Sequence, residues 1–507
     1  MVTSKSTQLV SLFNNYKWGK IAPLFFLSSL FFSCSKQIEV PEDVVLARVG
    51  SSIITVQDFI RRSEYTIRPD YCRQDNYIHK KIILNSLIAE KITALENEKI
   101  NGELNNENLD AILRGRKEQA MRQVYFSKEF HSSVVIPEEE VKKKYKLAGR
   151  KIKVQFLNLP DIEIVNKIRD LDSNNIPLDS IYNILWGGKA PTKEISWFDR
   201  ENEEIRNAIF DDGIKKGELL GPFRTEDSTF ILIKIKGWTN KIAITESDKE
   251  LLWNDIQEKL TETKAKKKYM SWVKNLMSGK NMNLHSEVFY TYAEKAANYY
   301  FTIDSVRRDM LTQVLWDDLE FKNTSFSLDG KDLEKNAIIL DYDGLSWTVK
   351  ELNDRLRSHP FVFRKRKMKR SEFPEQLRLA IADLIRDTEI TKQCYQKGYD
   401  KNWIVDLNTN MWMDVYKSKK YLSGLRTKNK KIVNEQQWLE FMNPKVDSLQ
   451  TIYSNQIEIN MDIFEKIKLT RTDMMVIQRG VPFPILVPSF PIVTSDNKLD
   501  YGKNTTG

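Results

Sequence analysis

Apolar positions along this chain change period several times, and each change predicts an element. Ile82, Ile83, Leu84, Leu87, Ile88, Ile92 and Leu95 recur at helical spacing. Before them, Val44 to Val49 is a short apolar run ending at Gly50, and Ile53-Ile54 leads into Thr55-Val56-Gln57-Asp58. Thr55 with an acidic residue three places on is an N-cap pair, so a helix is expected to begin there. Another helix is expected over Ala111 to Phe130. From Lys151 the period becomes two. Ile152-Lys153-Val154-Gln155-Phe156-Leu157 alternates as a half-buried strand does. Leu178, Ile181, Tyr182 and Leu185 then fall at i, i+3, i+4 and i+7, one face of a helix that Trp186-Gly187-Gly188 ends. A second short apolar run, Ile195-Ser196-Trp197-Phe198, is followed by a small helix carrying Ile205, Ala208, Ile209 and Phe210. Glycines punctuate Gly217 to Phe223, and Thr229 to Ile235 is the most strand-like run in the chain. Thr245 to Asp248 caps a further helix, apolar at Leu251, Leu252, Ile256 and Leu260 and continuing to Tyr269, Trp272, Val273 and Leu276.

The opening pattern returns. Ala337 to Gly344 matches the first strand, Thr348-Val349-Lys350-Glu351-Leu352 matches Thr55 to Phe59, and Arg355 stands for Arg62. Leu384-Ile385 takes the place of Leu87-Ile88 with a small insertion, which makes residues 337–428 an internal repeat of the first helical region. Between the copies, Tyr290, Tyr292, Tyr299, Tyr300 and Phe301 read as core rather than as a binding surface. Val481 to Val493 carries four prolines among apolar residues, so it is expected to be extended, unable to join a sheet centre, and laid in a groove.

Composition sets the class. The 507 residues are 41% hydrophobic and 29% charged, enough for about three globular domains. Met1 to Lys20 has three lysines and no acid, Ile21 to Phe32 is apolar, and Ser33-Cys34 follows. Twelve residues are too few for a bilayer needing about 20, so the segment reads as a secretory signal. The ending Phe31-Phe32-Ser33-Cys34 resembles a bacterial lipobox, which implies lipid attachment at Cys34 and a membrane-anchored protein on the periplasmic side of the envelope, with the outer membrane favoured and the inner membrane left open. Loss of Lys5, Lys17 and Lys20 with the signal lowers the net charge from +9 to +6. That modest excess, spread over a lysine-rich sequence, reads as a solvated surface rather than a nucleic-acid site, and with export no nucleic-acid partner is expected. Cys72 and Cys394 then remain, either as a disulfide or as two separate buried thiols. No metal cluster, nucleotide loop or hydrolase constellation is present, and no cofactor is expected.

The order of elements from Lys151 to Trp238, with Trp197-Phe198, Gly217-Glu218, Gly221-Pro222-Phe223-Arg224-Thr225 and the closing strand, resembles the parvulin (PpiC-type) family of peptidyl-prolyl isomerase domains. The helices before it resemble the N-terminal domain of SurA and PrsA type periplasmic foldases. The resemblance implies an α+β protein: a helical chaperone-like domain with an inserted small parvulin-like α/β domain and a second helical repeat. The expected divisions are 1–33 signal, 34–145 first helical domain, 146–240 parvulin-like domain, 241–283 a helix returning to the chaperone lobe, 284–336 an aromatic connector, 337–428 the second repeat and 429–507 a C-terminal segment.

Parvulins set two histidines face to face beneath the bound proline, on the first and last strands. Gln155 and Phe230 hold those places here, and none of His79, His131, His285 and His359 lies in the segment. Thr225 keeps the family's threonine, and Phe198, Ile205, Phe210 and Phe223 are the expected proline-pocket residues. The expected function is an envelope-anchored chaperone binding unfolded or extended polypeptides, with a catalytically degenerate parvulin unit. An active isomerase and a structural envelope lipoprotein are the two alternatives.

Overall fold

The computed structural model describes residues 44–102, 107–197, 199, 201–225, 229–240, 245–313, 334–359, 361, 363–365, 368–469 and 486–505. The expected signal, Cys34, Phe198 and residues 481–485 of the proline-rich tail lie outside the described residues. The protein is mixed α+β and divides into two compact units, one built on His131–Lys267 and the other on the described parts of Lys20–Phe130 and Lys268–Gly507.

The larger unit opens with β1 (Val45–Val49) and β2 (Ser52–Thr55), an antiparallel hairpin that runs into α1 (Val56–Glu64). Thr55 caps α1 as expected: its hydroxyl accepts from the Asp58 amide at 3.0 Å while the Asp58 carboxylate accepts from the Thr55 amide at 3.2 Å. The chain continues through α2 (Tyr77–Asn101) and α3 (Glu107–Phe126).

The smaller unit follows with α4 (Glu138–Ala148), β3 (Arg150–Leu159), α5 (Ile162–Ser173), α6 (Leu178–Trp186), β4 (Thr192–Ser196), α7 (Glu203–Ile209), β5 (Leu219–Arg224) and β6 (Phe230–Asn240). Its strands form one antiparallel sheet in the order β4-β3-β6-β5, so the first and last strands are central neighbours. Because side chains alternate across a strand, the sheet carries two separate cores. Ile152, Val154, Ile233 and Ile235 face Trp197, Ile205, Ile209 and Phe210 on one side. Leu157, Leu159 and Leu232 face Val165, Ile168, Leu178 and Ile181 of α5 and α6 on the other.

Helix α8 (Glu246–Met277) begins in the smaller unit and ends in the larger. Its last turns set Tyr269 edge-on to Phe126 at 5.4 Å and Trp272 against Tyr125 at 5.2 Å. Then come β7 (Met282–Leu284), α9 (Ser286–Gln313), β8 (Ile338–Tyr342), β9 (Leu345–Thr348), α10 (Val349–Ser358), α11 (Phe373–Gln396), α12 (Trp403–Lys428), α13 (Glu435–Tyr453), β10 (Ile457–Ile459), α14 (Met461–Lys466) and β11 (Lys503–Asn504).

The sequence repeat is a structural repeat down to strand register. Val45 pairs Thr55 and Ile338 pairs Thr348, both ladders slip after that pair, and Ala47–Ile54 matches Leu340–Trp347, a constant shift of 293 residues. The second turn puts Asp343 and Gly344 at φ 51° and 78°, the left-handed pair that a two-residue hairpin of matching twist requires. The same cap recurs at α10, where Glu351 returns a carboxylate to the Thr348 amide at 2.7 Å.

Each hairpin takes a third strand and a helix from elsewhere in the chain. β8 pairs with β7, and α9 buries Phe289, Tyr292 and Ala293 in the second lobe. β1 pairs with β10, about 400 residues away, and α14 buries Phe464 in the first. The segment after the small sheet unit therefore completes the second lobe, and the C-terminal segment completes the first. Neither lobe is contiguous in sequence, so the first is not closed within 34–145 and the aromatic stretch from 284 is helix α9 rather than a connector. The described part of the tail lies along the first lobe, with Phe490 and Val493 buried, the Trp438 indole donating to the Ile492 carbonyl at 3.0 Å, and β11 confined to the sheet edge.

Cys72 and Cys394 are free thiols, each fully buried, which decides between the two alternatives for this pair. Burial also pushes the Cys394 thiol up to about 12, so almost none of it is thiolate at neutral pH. Both are expected to resist iodoacetamide in the native protein and to react fully in denaturant, read by peptide mass; alkylation of either in the native state would contradict this burial.

Candidate functional site

On the small sheet, Gln155 sits near the middle of β3 and is buried at 4% exposure. Its parity places it on the α5–α6 face with Leu157 and Leu159. There its side-chain amide donates to Asp179 Oδ1 at 2.9 Å, and the same oxygen accepts from the Ala190 backbone at 3.0 Å. The carboxylate thus ties β3 to the first turn of α6 and to the loop entering β4. Donation from Gln155 is the main reason the Asp179 carboxyl is held below its ordinary range, helped by the Ala190 amide and by Lys236 and Lys189. Asp179 was not a sequence candidate. It lies 24 residues from Gln155, and only the packing of α6 on the sheet brings the two together.

Opposite Gln155 on β6 stands Lys234, not Phe230, and Lys234 is ion-paired with Asp172 of α5. Phe230 pairs with Leu159 at the far end of the ladder and packs on the same apolar face. The facing pair expected of Gln155 and Phe230 is therefore not formed, because the antiparallel register carries Phe230 to the end of β3. Thr225 closes the β5–β6 turn: its amide donates to the Thr229 carbonyl at 2.9 Å, and the two hydroxyls are 2.7 Å apart. Its hydroxyl is occupied within the turn.

Ile205, Phe210 and Phe223 come together, but in the core on the opposite face of the sheet, at 4%, 0% and 9% exposure. The sheet stands between them and Gln155. They fill the interior and offer no open pocket. The unit's own histidine, His131, is paired with Glu258 of α8 at 3.3 Å. No group of three His, Cys, Asp or Glu gathers as metal ligands among the described residues, and no helix among them is long and apolar enough to cross a membrane.

An open apolar surface lies at the end of α6. The predicted inward stripe holds for Leu178 and Ile181, which are buried, but Leu185 is 47% exposed beside Ile184 at 80% and Trp186 at 47%. Tyr182 leans on the Trp186 ring at 5.1 Å. Gly187, at φ 75°, ends the helix there. Three consecutive large apolar side chains in water form a surface that lacks a covering element among the described residues.

No protein-family model and no curated protein matches this chain. Among solved structures, the foldase protein PrsA from Streptococcus pneumoniae str. Canada MDR_19A is similar at 13% identity, covering 43% of this chain and 90% of that one, with a TM-score of 0.18.

Proposed function

We propose that this chain is an envelope-anchored chaperone, held through Cys34, that binds extended apolar segments of exported or outer-membrane proteins. Its small sheet unit serves for binding rather than isomerisation. The observation that carries the reading is the exposed run Ile184-Leu185-Trp186 on a helix anchored to the sheet by Leu178, Ile181 and Asp179. A rigid helix end offering apolar area gains from a client's apolar side chains about 25 cal/mol per Å² removed from water. Catalysis asks for more. Turning an X-Pro bond must lower a barrier of about 18–20 kcal/mol by stabilising a twisted amide, and Gln155, the strand residue nearest that role, is buried and bonded to Asp179.

Replacing Ile184, Leu185 and Trp186 together by serine is expected to abolish most suppression of aggregation of an unfolded outer-membrane protein, while the free energy of urea unfolding stays within about 0.5 kcal/mol of the parent. Retained suppression in the folded triple variant would refute the surface. The same preparation, assayed on X-Pro peptides, is expected to leave the cis-to-trans rate unchanged. A clear acceleration would establish the isomerase instead.

A further inference from the structure

The two lobes hold the same arginine in different company. Arg62 and Arg355 each lie seven residues after the capping threonine of their lobe. In the first lobe Arg62 is 1% exposed and grips Glu90 through both terminal nitrogens, at 3.0 and 2.9 Å, with the Ser489 carbonyl as a third acceptor at 2.7 Å. Glu90 stands two places after the Leu87-Ile88 pair, and its counterpart two places after Leu384-Ile385 is Asp387. Asp387 is turned elsewhere: His359 Nε2 lies 3.0 Å from it, and Arg386 binds it at 2.7 Å. Arg355 instead rests over the Trp347 ring at 4.0 Å and has no ion-pair partner among the described residues.

Arg355 lines a cavity of about 420 Å³ between α3, α10 and α11, whose wall also carries Arg114, Arg122 and Lys392. Its three acids are committed or distant. Glu351 caps α10, Asp354 pairs with Lys350 at 2.9 Å, and Glu118 meets the Tyr395 hydroxyl at 3.4 Å. Arg122 donates to Thr391 at 2.7 Å, and Lys392 pairs with Glu389 at 2.6 Å. Arg355 acts on the Glu351 carboxylate one turn away through charge alone, and neither Arg355 nor Arg114 forms an ion pair among the described residues, so both guanidiniums are left facing the cavity.

We propose that this cavity binds a carboxylate-bearing ligand, whose carboxylate takes on Arg355 the place that Glu90 takes on Arg62. A guanidinium already braced on an aromatic face presents its fork to a planar carboxylate with little further ordering. The site lies wholly in the larger unit and does not depend on the α6 surface.

The test is calorimetric titration of the purified chain with glutarate, with acetyl-Ala-Glu-Ala-amide and with acetyl-Ala-Gln-Ala-amide. At least one of the two acids is expected to bind, and the glutamine peptide at least tenfold more weakly than its acidic twin. Binding of glutarate alone identifies a small dicarboxylate as the ligand class, and binding of the glutamate peptide identifies an acidic side chain of a polypeptide; both support the site. Arg355→Ala, at an exposed position, is expected to lose at least tenfold in affinity with an unchanged circular dichroism spectrum, and Arg355→Lys to recover part of it. No binding of either acid, equal binding of the glutamine peptide, or full binding by Arg355→Ala would overturn the proposal.

Discussion

Glu90→Ala is expected to cost the larger unit about 3–5 kcal/mol, the usual penalty for leaving one charge of a buried pair without its partner. Arg62 has no route to water in the first lobe: it is 1% exposed, Glu90 is 3% exposed, and the third acceptor, the Ser489 carbonyl, neutralises no charge. The check is urea unfolding followed by tryptophan fluorescence, with the midpoint falling at constant slope. Glu90→Gln should lose less, since an amide oxygen still accepts one of the two bonds. The combination Arg62→Met with Glu90→Leu separates charge from packing, because removing both ions together should recover most of the loss. If the double variant is as unstable as Glu90→Ala, the loss does not come from leaving the Arg62 charge unpaired. The pair has a second consequence. Ser489 belongs to the C-terminal arm, so breaking it loosens the segment that also carries Phe490 and Val493 into the first lobe.

How much of this was legible in the residues depended on how far each signal reaches along the chain. Thr55 with Asp58 and Thr348 with Glu351 are complete within four residues, and the structure forms both caps. Ile82 to Leu95 repeats at helical spacing within one element, and it is α2. Signals ending in a partner chosen at long range were not legible. Ile457-Glu458-Ile459 is three residues of strand, too short to say whether it completes the first hairpin or the second. Gln155 could be placed on a central strand, but its opposite number depends on the ladder, which shifts between Lys153 and Val154. Its tie to Asp179 depends in addition on how α6 lies on the sheet. Ile205, Phe210 and Phe223 were expected to line a proline pocket only because the segment resembles a parvulin domain. Alternation along β3 puts them across the sheet from Gln155, where the same residues make a core. Leu185 failed for a local reason. It continues the stripe of Leu178 and Ile181, but Gly187 ends α6 where the stripe has already left the sheet, so the last turn stands in water.

The backbone at the end of α10 packs directly on Gly115 of α3, and Gly115→Ala is expected to open that contact. A β-carbon built on Gly115 would lie 1.7 Å from the Ser358 carbonyl oxygen and 2.6 Å from its carbon, both backbone atoms at the end of α10. No rotamer change relieves a clash with backbone, so α3 and α10 must separate. Overpacking of this kind costs about 1–3 kcal/mol and more where backbone must move, against about 1 kcal/mol that alanine gains over glycine in a helix. A net loss of about 2 kcal/mol or more is expected, read as a lower urea midpoint. Gly424→Ala is the matched control. It lies in α12 with nothing within 4 Å of its β-carbon, and should stabilise by up to about 1 kcal/mol. Stability is half of the expectation. Arg114 and Ser358 flank the contact and also line the cavity holding Arg355. Moving α10 away from α3 widens the cavity and draws Arg355 from Arg114, so Gly115→Ala should weaken acid binding while Gly424→Ala leaves it unchanged. A Gly115→Ala protein as stable as the parent, with affinity intact, would mean that the two helices do not meet at Gly115 in solution.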